Sequence, residues 1–396
     1  MPHVVDTERL VADSWITPDQ AAEIARRSRE TMVSLAVNAI LCAGVLAATF
    51  GLIFWLADAF AVAVAGALFL AIGAGVLLKG GALYRMLGNA AALVGAGMLV
   101  GGAGFELVDS FREVAEPVMI VAGLAVAAAS VWLFARGPDV LRFSSGAVML
   151  FGLALHVSGL GIAMSDIDGL LRAVFLGYVA VVVVGAGALI DVRFITALAI
   201  VPFAQMLDTG TAYFHAAYVF YSPESTLTIL QMFALVGACL WAATRLKDRF
   251  ARHTGILAIM AIVVGNLAFL VGSLWGDNVG MSLSSGGPVW ENGMDYEAWR
   301  TAREAWEAQF FHISEHVFTV AWAVLLATGA FWTAHANKRG LFNATMTFAG
   351  IHAYTQLFET MSDEPLAWAI GGLAAIPAAW GMWRFNQYLA GRAAVG

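Results

Sequence analysis

The sequence predicts an all-α fold, a polytopic membrane helix bundle of about twelve transmembrane helices with both termini cytoplasmic. Three observations carry this expectation. Of 396 residues, 60% are hydrophobic and only 12% are charged, whereas a soluble domain carries roughly 25% charged residues. Apolar runs of about 18 residues or more recur along nearly the whole chain, each able to cross a hydrocarbon layer of about 30 Å as a helix. In the connections between those runs, clusters of Lys and Arg alternate with clusters of Asp and Glu, the charge bias that orients membrane helices.

Composition also excludes function classes. A net charge of -7 leaves no basic patch for nucleic acid. No GxxxxGK[ST] phosphate loop is present, which argues against nucleotide-driven pumping by this chain. Both cysteines, Cys42 and Cys239, lie in apolar runs without a CxxC partner, so neither a disulfide framework nor a thiolate metal site is expected. The opening MPHVVDTERL lacks the basic start and short apolar core of a cleaved signal peptide. The first apolar helix is expected to do the targeting.

Residues 1–31 read as a cytoplasmic helical segment. In DSWITPDQAAEIARRSRE, Thr17 is placed to cap a helix, Pro18 suits its first position, and Gln20 completes a TxxQ capping box. Asp6 is placed to cap an earlier turn. This segment is expected to be a surface helix resting on the bundle or membrane, with binding of a protein partner as the alternative. Residues 32–390 then form the bundle, with spans expected at 33–56, 60–78, 86–107, 117–134, 143–164, 170–190, 194–207, 227–244, 255–275, 311–331, 341–358 and 366–383.

Arg26, Arg27, Lys79, Arg85, Arg136, Arg142, Arg193, Arg245, Lys247, Arg252, Lys338 and Arg392 fall in every second connection and near the ends. That side is assigned to the cytoplasm. A short duplication accompanies the alternation: Arg85-Met-Leu-Gly-Asn89-Ala and Arg339-Gly-Leu-Phe-Asn343-Ala each open an outward-running helix. It points to repeated two-helix hairpins of the kind transporters reuse.

The longest external segment, 277–311, starts as a Gly- and Ser-rich loop. It continues as a helix with Trp299, Ala302, Trp306 and Phe310 on one stripe, the pattern of a helix lying in the membrane interface, with a lid over an outward-facing cavity as the alternative. The seventh span is too short to cross unless Asp208 and the residues after it enter the membrane. Two readings stand: a helix broken near Pro202 and Gly210 that carries Gln205, Asp208 and His215 on a ligand or ion pathway, or a short tilted helix followed by an aromatic interfacial segment.

Four histidines share a predicted depth in the outer third of the membrane: His156, His312, His316 and His352. Ionisable groups at that depth face a bundle interior or water and often mark an ion or substrate path. On a helix, the i, i+3, i+4 spacing of His312, Glu315 and His316 would place all three on one face. With His156, His352 and Glu359 they form a candidate set for Zn²⁺ or another transition metal, Glu315 being the candidate catalytic base. Two opposed imidazoles would alternatively hold a b-type haem. At each single position, a histidine hydrogen-bonded to a neighbouring helix is the simpler reading.

The HxxEH run resembles the signature of the inverted zinc metallopeptidases over five residues. That resemblance implies zinc on His312 and His316, Glu315 as general base and Glu359 as a further ligand. Helical membrane hydrolases, whose zinc sits beneath a water-filled mouth, are a closer physical comparison. Over its whole length, the chain loosely resembles a bacterial family of predicted multi-pass inner-membrane proteins of unknown function. The resemblance rests on Trp15 to Ala22 and the closing NKRGLFNATMTFAGIHAYTQLFE, and it implies a bacterial inner membrane.

The function expected first is transport, or cation- or proton-coupled binding of a small ligand, at an outward-facing His and carboxylate site. A metal-dependent hydrolase acting at the outer leaflet and a non-catalytic scaffold or accessory subunit are the alternatives. The lipid bilayer is the expected partner in every case.

Overall fold

The computed structural model describes residues 7–361 apart from 82–83, 166–169, 208–211, 215–216, 222–223, 282–283, 285–286, 289–292 and 337–338, together with scattered positions from 366 to 387. The chain divides into two compact units, Met1–Ile167 and Asp168–Gly396.

The first unit is helical. A short helix α1 (Thr7–Ala12) precedes α2 (Pro18–Leu56), α3 (Ala59–Lys79), α4 (Arg85–Ser110), α5 (Arg112–Arg136) and α6 (Arg142–Ala163). The capping box at the start of α2 is formed: Gln20 N–H donates to Thr17 Oγ1 at 3.2 Å, and Thr17 N–H donates to Gln20 Oε1 at 2.9 Å. Good capping and a lack of breakers let α2 run for 39 residues without a stop at residue 31. A left-handed Ala57 ends it, and Asp58 then caps α3 through Ala61 N–H at 2.6 Å.

What holds this unit together is glycine spaced by seven. Gly66 and Gly73 on α3 face Gly88, Gly95 and Gly102 on α4, so that a Cβ at Gly66 would lie 2.3 Å from Leu99 N and one at Gly95 would lie 2.3 Å from Leu70 N. Seven residues are nearly two helical turns, so the glycines line one face and the backbones come together. The α5–α6 pair repeats the device: a Cβ at Gly123 would meet His156 N at 2.4 Å and one at Gly152 would meet Ala127 N at 2.7 Å. In hydrocarbon, where apolar burial does not drive helices together, such close van der Waals contact supplies the association.

The second unit contains α7 (Leu170–Ile190), α8 (Arg193–Leu198), α9 (Ile200–Gln205), α10 (Ser225–Ala243), α11 (Asp248–Trp275), α12 (Tyr296–Glu307), α13 (Glu315–His335) and α14 (Arg339–Met361). Two short antiparallel ladders interrupt the helices: β1 (Ala212–Phe214) with β2 (Ala217–Tyr221), and β3 (Asp277–Val279) with β4 (Phe311–Ile313). Its core joins α10, α11, α13 and α14 around Trp322, which is fully buried. Trp322 stacks on Phe269 at 6.4 Å and 9°, and its indole N–H donates to Asn266 Oδ1 at 2.9 Å. An indole buried at this depth would otherwise leave its N–H unpaired.

Eight helices among the described residues are long and apolar enough to cross a membrane: α3, α4, α5, α6 with its leading turn, α7, α10, α11 and α13. They match the second to sixth and the eighth to tenth expected spans. The protein is therefore read as a helical membrane protein. The first expected span lies inside α2, and the eleventh coincides with α14, whose start at Arg339 parallels the start of α4 at Arg85. The twelfth falls mostly outside the described residues.

One local expectation holds and one changes. The seventh span is divided into α8 and α9 at Ala199, the break expected near Pro202, because the proline has no N–H to donate to Leu198 O one turn earlier. The aromatic stretch after it contains the β1–β2 hairpin, and with β3–β4 this adds strand to an otherwise helical fold.

Candidate functional site

The HISEH run does not form one helical face. His312 lies in β4, opposite Asn278 in the ladder, and α13 begins only at Glu315. Ser314 at the junction has an extended backbone, φ -70° and ψ 155°, which ends the strand and admits the helix. His312 is taken off the helix in consequence, while Glu315 and His316 stay neighbours at its start. His312 Nδ1 pairs with Asn278 Oδ1 at 2.9 Å. His316 is 87% exposed, and its Nε2 lies 3.7 Å from Glu315 Oε1.

The other expected ligands occupy separate surroundings. His156 belongs to the first unit, buried on α6, where its Nδ1 meets Ile120 O of α5 at 2.9 Å. His352 belongs to the second unit, its ring edge-on to Trp322 at 4.7 Å, with a buried Nδ1 that has no hydrogen-bond partner among the described residues. Asp208 and His215 lie outside the described residues, as does the side chain of Glu359 on α14. Gln205 ends α9, half-buried. The Gln231 amide ties α10 to this helix by donating to Phe203 O. Among the described residues, no group of three or more His, Cys, Asp or Glu is arranged to hold a metal ion.

A different pair of carboxylates is brought together where α10 begins and α11 ends. Gly276 makes the turn possible: its φ of 68° is in the left-handed region, and a Cβ there would lie 2.8 Å from Ile313 O. The turn delivers Asp277, 7% exposed, to the start of α10, where its Oδ2 accepts Thr226 N–H at 2.7 Å. Glu224, 1% exposed, reaches the other way, and its Oε1 accepts Gly280 N–H at 2.6 Å. Each carboxylate thus accepts from the backbone of the other's segment.

The electrostatics of this clasp are opposed. Burial pushes the Asp277 carboxyl above the usual carboxylate range, and the nearby Glu224 charge adds to the rise; hydrogen bonds from Thr226 and Ser225 pull it partly back. A positively placed helix N-terminus favours the charged form, while two neighbouring carboxylates disfavour holding both charges at once. Such a pair can share a proton or accept a cation. Glu224 and Asp277 were visible in the sequence only as members of acidic loops. Their meeting depends on a 53-residue separation in the chain (277 minus 224), closed by the α10–α11 hairpin.

A second cluster at the opposite ends of α7 and α11 was also missed. His253, 2% exposed, has Nδ1 2.7 Å from Thr196 Oγ1 and Nε2 3.0 Å from Asp191 Oδ1. Arg249 donates to Ala188 O at 2.6 Å and Leu189 O at 2.7 Å, closing the carbonyl end of α7. Thr196 is fully buried, with Gly187 backbone pressed against it. The arrangement resembles a nucleophile, base and acid in series, but the hydroxyl has no exposed surface for a substrate. It fastens α7, α8 and α11.

No protein-family model, curated protein or solved structure matches the chain.

Proposed function

We propose that this protein is a bacterial inner-membrane transporter, or a cation- or proton-coupled binding protein, whose ion site is the Glu224–Asp277 pair. The supporting observation is the near-complete burial of both carboxylates at one end of the α10–α11 hairpin, each accepting from the backbone of the other's segment. Charge balance along the sequence assigns that end to the outside. His312 pairs with Asn278, the residue after Asp277, in the β3–β4 ladder, so this reading keeps His312 of the HISEH run and replaces Glu315 and His316 with Glu224 and Asp277.

Burial without a compensating cation is costly for two carboxylates, and the cost is relieved by one proton or one metal cation between them. Uptake of that charge would alter how Thr226 and Gly280 are held and so couple occupancy to the α10 and β3 ends. Proteoliposomes on a solid-supported membrane test the reading with jumps in acid, Na⁺, K⁺ or Ca²⁺. A transient current is expected in the native protein and its loss is expected in a Glu224→Gln, Asp277→Asn double variant. Absence of current for every ion, or an unchanged current in the variant, overturns it.

A further inference from the structure

Between α10, α11, α13 and α14 lies a cavity of about 210 Å³. Its wall includes Met232, Ala261, Gly265, Phe269, Leu326 and Gly329. Met232 and Ala261 are almost inaccessible, at 1% and 0%, and so form its floor; Phe233 and Trp332 at its rim are 48% and 53% exposed. The rim continues into the apolar outer surface of the same helices, where Leu230, Val324 and Phe331 are exposed.

The few polar groups in the wall are already engaged. Thr333 Oγ1 donates to Gly329 O at 2.7 Å, and Thr345 Oγ1 donates to Leu341 O at 2.9 Å. Asn266 donates to Ile262 O at 2.8 Å and accepts from the Trp322 indole at 2.9 Å. A polar ligand would lose its hydration here and find few hydrogen bonds in return. An apolar cavity of about 150 Å³ stays dry and takes up benzene, so this one is large enough for a longer piece of hydrocarbon.

We propose that the cavity is a lateral binding site for the acyl chain of a bilayer lipid, entering between Phe233 and Trp332. Its floor is apolar, the polar groups of its wall are internally satisfied, and its rim lies on membrane-crossing helices whose surroundings are themselves acyl chains. It is independent of the carboxylate pair, which lies at the end of the hairpin rather than between the helices.

The experiment uses the full chain in phosphatidylcholine vesicles doped with a phosphatidylcholine that carries a diazirine within one acyl chain. After illumination, adducts are mapped by mass spectrometry at Met232 and Ala261 and, for comparison, at Val320 and Val324 on the outer surface. Adducts on all four are expected in the native protein. In Gly329→Leu, which fills the cavity, those at Met232 and Ala261 should be lost while those at Val320 and Val324 persist. A Gly265→Ala, Gly329→Ala variant guards against misfolding, because the added Cβ atoms would meet Met232 and Thr345 at 3.5 and 3.4 Å, ordinary contacts. In it, floor labelling should fall relative to surface labelling. No floor adducts in the native protein, including the case in which residues 366–387 of the chain fill the cavity, would overturn the proposal; so would floor labelling unchanged in both variants.

Discussion

His253 Nε2 lies 3.0 Å from Asp191 Oδ1, joining a buried imidazole on α11 to a carboxylate in the turn after α7. Asp191 itself has φ 58°, a left-handed backbone that a non-glycine residue adopts at a cost. The ion-paired and hydrogen-bonded side chain therefore holds a strained turn in place. Removing the imidazole in His253→Ala leaves the Thr196 hydroxyl unpaired at full burial, and we expect a loss of about 2 kcal/mol. Denaturation of the purified protein in detergent, compared with the native chain, measures it.

The same pair sets an acid limb of stability. The His253 hydrogen bond, helped by the charges of Arg249 and Arg252 and opposed by burial, holds the Asp191 carboxyl below its usual range. A depressed carboxyl contributes stability above its unfolded value of about 3.9, and that contribution is lost as pH falls through the lower folded value. Asp191→Asn should flatten this part of the profile. Melting temperatures taken through the acid range would show it, and identical native and variant slopes would count against the pairing.

Asp277 behaves with the opposite sign. Its folded carboxyl is raised, first by burial, so its contribution is fully present below about pH 3.9 and is lost as pH rises through the raised folded value. Asp277→Asn keeps an oxygen for Thr226 N–H and removes the charge; its stability should gain on the native protein as pH rises. Asp277→Ala also loses the cap on α10, costing about 1 kcal/mol. Unfolding curves for both variants across pH separate the charge from the hydrogen bond.

The glycine faces give a sharp contrast within one helix. Gly95→Val would drive a side chain into the Leu70 backbone, whereas Gly101 has nothing within 4 Å of a built Cβ. We expect Gly95→Val to destabilise by about 3 kcal/mol, and Gly101→Ala to be neutral or stabilising by up to about 1 kcal/mol. Thermal denaturation of the two variants in one detergent compares them directly.

Much of this architecture is legible in the sequence. The TxxQ box predicts the start of α2, and the two Arg-x-x-x-Asn-Ala runs mark the starts of α4 and α14. The seven-residue glycine spacing of α4 was equally available at positions 88, 95 and 102, but hydropathy reading passes over it because glycine carries little hydropathy signal. The site was less legible. HISEH satisfies a helical spacing, yet the pairing of β4 with β3 across 34 residues overrides it at His312. Local periodicity cannot report a partner that distant. His253 with Asp191, and Glu224 with Asp277, likewise meet only after α11 has packed against its neighbours.

The most direct test of the central claim is an infrared titration of the reconstituted protein, native and Asp277→Asn, following the carbonyl stretch of protonated carboxyl groups. The native protein should show a band that persists above the usual carboxylate range, titrates as a property of the Glu224–Asp277 pair, and is lost or displaced in the variant. A spectrum in which every carboxyl titrates in the ordinary range, unchanged by Asp277→Asn, would contradict it.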